Sequence, residues 1–154
     1  MPMRPLVRGL LAGAAGTVAL NVVTYLDMLV RARSSSSVPE EVAGRLAEQA
    51  GIALGDEQQA ANRRSGAGAL LGYVTGLGVG AAYGLLRTRC RGLPVWLAGP
   101  ILGATAMASS DAPSVALGVT DPKSWGVQGW VSDIVPHLVY GVVTASTFNA
   151  LTSR

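Results

Sequence analysis

Long apolar runs alternate with short polar linkers along this chain. The apolar runs cover residues 6–30, 66–86, 93–108 and 127–151. A helix of about 20 apolar residues crosses a hydrocarbon layer about 30 Å thick. Because only helices and closed barrels satisfy the backbone in lipid, runs of this length favour helices. The pattern predicts an all-α integral membrane four-helix bundle in one domain over 1–154, with helices at about 6–30, 66–89, 93–109 and 127–151.

The only sizeable polar stretch joins the first two runs. Its residues Ser37 to Glu40 match a capping box with a proline in the first turn. After them, Val38, Val42 and Leu46 recur every four residues. The stretch therefore predicts a short amphipathic helix over about 38–50, which lies on the membrane, caps the bundle or docks a partner.

Two further boundaries follow from local signals. Asp56 and Glu57 suit a helix start that runs on into the second apolar run. The third run is followed by the polar residues 109–113, which end with a proline. We therefore expect that helix to stop there and the apolar residues 114–119 to be interfacial or re-entrant.

Composition agrees with a membrane location. Charged residues make up 14% of the chain and mean hydropathy is +0.38, whereas soluble domains carry about 25% charged residues. The net charge of +3 comes without a basic stripe of interleaved aromatics, so no nucleic-acid partner is expected. Cys90 is the only cysteine, which excludes an intramolecular disulfide and a multi-cysteine metal site. With no phosphate-binding or hydrolase motif present, we expect no metal and no cofactor.

Cations next to the runs predict the orientation. The short linker with Arg87, Arg89 and Arg91 is typical of a cytoplasmic loop, whereas the linker 120–126 has Lys123 as its only cation. This predicts both termini in the cytoplasm. Counted over all loops the cations give a tie, because the long first loop also carries arginines.

The second run contains a ladder of glycines at every fourth position: Gly68, Gly72, Gly76, Gly80 and Gly84. Residues four apart share one helix face, so another helix can approach this face closely. Two interpretations stay open. The ladder packs inside a single bundle, or it forms a homo-oligomeric or subunit interface.

The first run holds polar residues on roughly one side, with Asn21, Thr24 and Asp27 three apart. Ionisable residues inside spanning segments are costly and usually face protein or water. Arg31 lies one turn beyond Asp27. Either the two form a pair at the membrane boundary, or Asn21 and Asp27 belong to a polar site.

The fourth run places Asp133 and His137 four residues apart, on one helix face. Pro136 between them removes a backbone donor, which favours a kink. The pair either braces that kink or handles protons or a polar solute, since an imidazole can exchange protons near neutral pH. A metal site is disfavoured because the chain has no second histidine.

A faint internal repeat relates the two halves of the chain. Arg8-Gly9-Leu10 resembles Arg91-Gly92-Leu93, and each segment is followed by an aspartate, Asp27 or Asp111. A duplicated helical hairpin, as in transporter-like folds, would place both aspartates at the same membrane face.

The segment from Ser132 to Tyr140, Ser-Asp-Ile-Val-Pro-His-Leu-Val-Tyr, resembles the last-helix motif of the YagU-like bacterial inner-membrane proteins. The Gly-rich first helix, followed by a Pro-containing loop, adds a looser likeness. The resemblance implies a multi-pass membrane protein. Pro136 stands where that motif would have glycine.

These patterns predict a non-enzymatic accessory or oligomer-forming membrane component that packs through the glycine ladder. Its expected partners are the lipid bilayer and either further copies of itself or the other subunits of a membrane complex. The alternative is a small proton-linked carrier or channel that uses Asp133, His137 and Asp27. A membrane enzyme acting on lipid comes third.

Overall fold

In the computed structural model, residues 3–88 and 93–153 are described, and they form helices without any strand. The predicted all-α class is confirmed. Arg89, Cys90, Arg91 and Gly92, and with them part of the predicted cytoplasmic linker and of the internal repeat, lie outside the described residues. The helices are α1 (Pro5–Arg31), α2 (Val38–Gln49), α3 (Glu57–Leu86), α4 (Val95–Ala116) and α5 (Val127–Thr152), with a 3-10 turn at Pro122–Ser124.

Among the described residues, three helices are long and apolar enough to cross a membrane, namely α1, α3 and α5. This is consistent with a membrane location. Helix α4 also has 22 residues, but the polar residues of its second half lower its hydropathy. Helix α4 is therefore not among the candidate spanning helices.

Helix α3 is longer at its start than the predicted 66–89. Asp56 caps it, because its side chain accepts a hydrogen bond of 2.8 Å from the backbone N–H of Gln59. The helix then continues without a break into the apolar run and ends at Leu86. The start signal at Asp56 and Glu57 is thus confirmed.

Helix α4 does not stop near residue 109 as expected. It continues through Pro113 to Ala116, so residues 114–116 are helical rather than a separate segment. The hydroxyl of Ser114 donates to the backbone carbonyl of Ser110 at 2.7 Å, so the polar side chains bond back to their own helix. The helix ends at Ala116. Gly118, two residues further on, has a φ of +67°, which suits glycine, and its N–H donates to Val115 O.

The capping box predicted before α2 does not form. Ser37 has a helical backbone conformation, and its hydroxyl donates to the Glu41 carboxylate at 2.5 Å instead of accepting from the helix. The helix itself has the predicted bounds within a residue. It packs on α3 with Val42 and Ala43 buried, whereas Leu46 of the predicted apolar face is 42% exposed.

The long helices form a connected set of antiparallel neighbours. Helix α1 packs against α3 and α5, and α5 also packs against α4, while α3 and α4 touch over a smaller area. The start of α1 therefore lies beside the ends of α3 and α5; we call this the arginine end, because it carries Arg4, Arg8 and Arg87. The opposite end is the carboxylate end, and it holds α2, the start of α3 and the linker between α4 and α5.

Most of the glycine ladder is covered inside the chain. A Cβ atom added at Gly80 would lie 2.6 Å from the Cα of Gly13 on α1, and one at Gly84 would lie 2.9 Å from the Cα of Gly9. Gly68 faces the backbone of Pro39 on α2. Only Gly72 has open space beside it. The ladder thus brings α1 and α2 close to α3.

A second close contact, which was not predicted from the sequence, joins α4 and α5. A Cβ added at Gly141 would meet the backbone of Gly103, and one at Gly99 would lie 3.1 Å from the Cα of Val142. Gly99 and Gly103 are four apart, the spacing that favours close helix packing in membranes. This contact sets the distance between the polar side chains of the two helices.

Candidate functional site

The polar site lies on α5, two to three turns from its start at the carboxylate end. The Nδ1 atom of His137 lies 3.2 Å from Oδ1 of Asp133 and 2.8 Å from the Asp133 backbone oxygen. Both side chains are mostly buried, with 15% and 22% of their surface exposed. Helix α5 runs unbroken through Pro136, which is itself buried. The predicted pairing of Asp133 with His137 is present.

A third ionisable group comes from α4. The carboxylate of Asp111 interacts electrostatically with both Asp133 and His137. The glycine contact between the helices allows this approach, because a Cβ at Gly103 would lie 2.6 Å from the backbone oxygen of His137. The site therefore contains two carboxyl groups and one imidazole; we call these three residues the Asp–His cluster.

One carboxylate oxygen of the Asp–His cluster has no hydrogen-bond donor in the described part of the chain. Oδ2 of Asp133 is buried and has no hydrogen-bond partner among the described residues. Adjacent carboxyl groups can hold one proton between them, which would satisfy this oxygen. When Nδ1 of His137 carries the hydrogen that bonds to Asp133, Nε2 is the acceptor nitrogen of the neutral ring. If one carboxyl group of the pair holds a proton and His137 is neutral, the cluster contains both a carboxyl donor and an imidazole acceptor.

Asp27 has different partners. Arg31 donates to its Oδ1 at 2.6 Å and Arg33 donates to its Oδ2 at 2.5 Å. The predicted pair of Asp27 with Arg31 is present, and Arg33 joins it. Arg31 also contacts the hydroxyl of Ser132, so this ionic group ties α1 to α5 one residue before Asp133.

The other predicted residues of α1 take a lesser part. Asn21 is half-buried, less than two turns from Asp27. Asp27 and Asp111 lie at the same end of the molecule, which is where a duplicated hairpin would place them. The described residues contain no group of three or more His, Cys, Asp or Glu arranged to hold a metal ion.

Buried hydroxyls continue the polar site towards the middle of the molecule. Tyr140 lies one turn beyond His137 and donates to the backbone oxygen of Gly76 at 2.6 Å. Thr144 is fully buried, and its hydroxyl has no partner among the described residues. Neither Tyr140 nor Thr144 was predicted as part of the polar site. The available signal was their spacing of three and four residues along the helix face of His137.

Comparison with known proteins gives no relative: the chain matches no protein-family model, no curated protein and no solved structure. The resemblance of Ser132 to Tyr140 to the YagU-like motif remains a prediction.

Proposed function

We propose that this is a multi-pass membrane protein that handles protons at the Asp–His cluster, as a small proton-linked carrier or channel. The observation that carries the proposal is the assembly of Asp111, Asp133 and His137 from two helices. In this proposal α1, α3, α4 and α5 all cross the inner membrane of a bacterium as a four-helix bundle. Asp27 takes a structural part, since two arginines engage its carboxylate.

The free-energy cost of burying the ionisable groups of the Asp–His cluster supports a role beyond packing. Ionisable groups inside an apolar bundle are expensive and usually mark a path for ions, protons or polar solutes. A bundle held only by packing could place apolar residues at these positions at no such cost. An imidazole next to a carboxyl pair can accept a proton on one side and release it on the other, which is what a proton relay requires.

The arrangement of charges supports an orientation. The arginine end contains the start of α1, the end of α3, the start of α4 and the end of α5. The sequence between α3 and α4 is short and carries Arg87, Arg89 and Arg91. Short loops rich in arginine stay in the cytoplasm. The proposal therefore places the arginine end in the cytoplasm and the Asp–His cluster nearer the outer face of the membrane, so that protons reach it from outside.

Proton flux into reconstituted vesicles tests this function. The purified protein is placed in vesicles that contain a pH-sensitive dye, and a pH gradient is imposed in each direction. We expect wild type to dissipate the gradient faster than protein-free vesicles, and Asp111→Asn and His137→Gln to slow it. If both variants keep the wild-type proton flux, the cluster has no role in proton transfer.

A second candidate is the accessory or homo-oligomeric component predicted from the sequence. Since the ladder is largely covered within the chain, the observation that favours this candidate is on α4. Its outward face carries the small residues Ala104, Thr105, Ala108 and Ser109, whereas α1 exposes large residues such as Leu29. A second copy packing there through α4 would be disrupted by Ala108→Leu, measured as the oligomeric state in lipid nanodiscs.

A further inference from the structure

The acidic and basic residues are distributed very unequally between the two ends of the molecule. The chain has nine acidic residues, and the helices place all of them at or towards the carboxylate end: Asp27, Glu40, Glu41, Glu48, Asp56, Glu57, Asp111, Asp121 and Asp133. No Asp or Glu of the chain lies at the arginine end.

The arginine end brings basic side chains from two adjacent helices together. Arg4 precedes α1 and Arg8 lies in its first turn, while Arg87 caps the end of α3. The contact between α1 and α3 places Arg8 and Arg87 at a similar depth along the bundle, because a Cβ at Gly84 would lie 2.9 Å from the Cα of Gly9. Arg87 also stacks over the ring of Tyr83 at 5.8 Å and donates to Asn149 at 3.2 Å.

Arg8 is partly buried at this end. Its Nε is buried and has no hydrogen-bond partner among the described residues, so a ligand would bind the other N–H groups of the guanidinium. A phosphate oxygen is the acceptor that suits the planar geometry of those groups. In a membrane, the headgroups of anionic phospholipids present such oxygens at the level of a helix end.

We propose that the arginine end binds the phosphate of anionic phospholipids in the leaflet that it faces, with Arg8 as the principal contact. Arg4 and Arg87 add positive charge around it. The carboxylate end does not bind these lipids, because its cations are outnumbered by carboxylates. This binding surface is separate from the Asp–His cluster and stands whether or not the protein handles protons.

Thermal melting of the purified full chain in detergent tests the proposal, with phosphatidylglycerol or phosphatidylcholine of the same acyl chains added. We expect phosphatidylglycerol to raise the Tm of wild type more than phosphatidylcholine does. Arg8→Gln should weaken the relative affinity for phosphatidylglycerol about fivefold, the factor that corresponds to one arginine near an anionic surface. Equal responses of wild type to the two lipids would overturn the proposal.

Two controls separate the lipid surface from other effects. Arg45→Gln removes a cation at the carboxylate end, where Arg45 pairs with Glu48 at 3.3 Å, and it should keep the full lipid preference. Loss of the preference in Arg45→Gln but not in Arg8→Gln would overturn the proposal, as would an equal rise of Tm with inorganic phosphate. If Arg8→Gln does not fold, Arg4→Gln is judged by the same criteria, since its side chain is exposed.

Discussion

The phenol of Tyr140 on α5 donates a hydrogen bond of 2.6 Å to the backbone oxygen of Gly76 on α3, although α1 packs against both helices. Glycines make this reach possible. A Cβ at Gly16 of α1 would lie 2.8 Å from the Tyr140 ring, and one at Gly76 would lie 3.5 Å from it. The glycine ladder and the polar residues of α5 therefore belong to one packing arrangement, in which bare backbone accommodates a buried tyrosine.

Removing this hydrogen bond should destabilise the protein. Tyr140 is 1% exposed, so Tyr140→Phe leaves the ring in place and only removes the donor. We expect a loss of about 1–3 kcal/mol, the usual effect of deleting one partner of a buried hydrogen bond. Unfolding in detergent measures it, with Tyr73→Phe as control because Tyr73 is 46% exposed on α3. Equal losses of stability in both variants would show that the hydrogen bond to Gly76 stabilises the protein no more than an exposed tyrosine hydroxyl does.

The ladder glycines should differ among themselves. Gly80→Ala forces a Cβ against the Cα of Gly13 at 2.6 Å, and overpacking of this kind costs about 1–3 kcal/mol. Gly72→Ala meets open space and removes a glycine from a helix, which should leave the protein equally stable or up to about 1 kcal/mol more stable. Melting temperatures of both variants check this. An equal fall in the melting temperature of Gly72→Ala would mean that an oligomeric partner covers that position.

Orientation can be tested at two exposed positions on opposite ends. In a Cys90→Ala background, we expect Thr88→Cys at the arginine end to react with a membrane-impermeant thiol reagent from the cytoplasmic side. Ser124→Cys, in the linker at the carboxylate end, should react from the outside. Labelling of Ser124→Cys from the cytoplasmic side alone would contradict the proposed orientation. Labelling of both from one side would contradict a bundle that spans the membrane.

The lengths of the apolar runs and the signals at their ends predicted α1, α3 and α5 because these are local properties of the chain. The runs that became α1, α3 and α5 are long, and Asp56 is a strong cap that forms as predicted. The predicted end of α4 near residue 109 was wrong, and the reason is physical. Serine hydroxyls that look like loop residues bond to carbonyls of their own helix, as Ser114 does to Ser110.

The composition of the polar site was harder to predict, because it depends on which helices pair. Asp133 and His137 are four residues apart, so their contact followed from helix geometry alone. Asp111 joins them through the contact of Gly103 with α5, and no local pattern indicates that pairing. Asp27 was predicted either to pair with Arg31 or to belong to a polar site. In the structure it pairs with Arg31, and Arg33, beyond the end of α1, also donates to it.

We propose that Asp133 carries protons rather than only bracing α5, and proton flux of Asp133→Asn in vesicles tests this role. Asp121→Asn is the matched control, since Asp121 is an exposed carboxylate at the same end. We expect Asp133→Asn to lose most of the wild-type flux with little change in Tm, because the substitution keeps the shape of the side chain, and Asp121→Asn to keep its flux. Wild-type vesicles without flux in either gradient direction, together with an Asp133→Asn variant that merely melts earlier, would contradict proton transfer at Asp133.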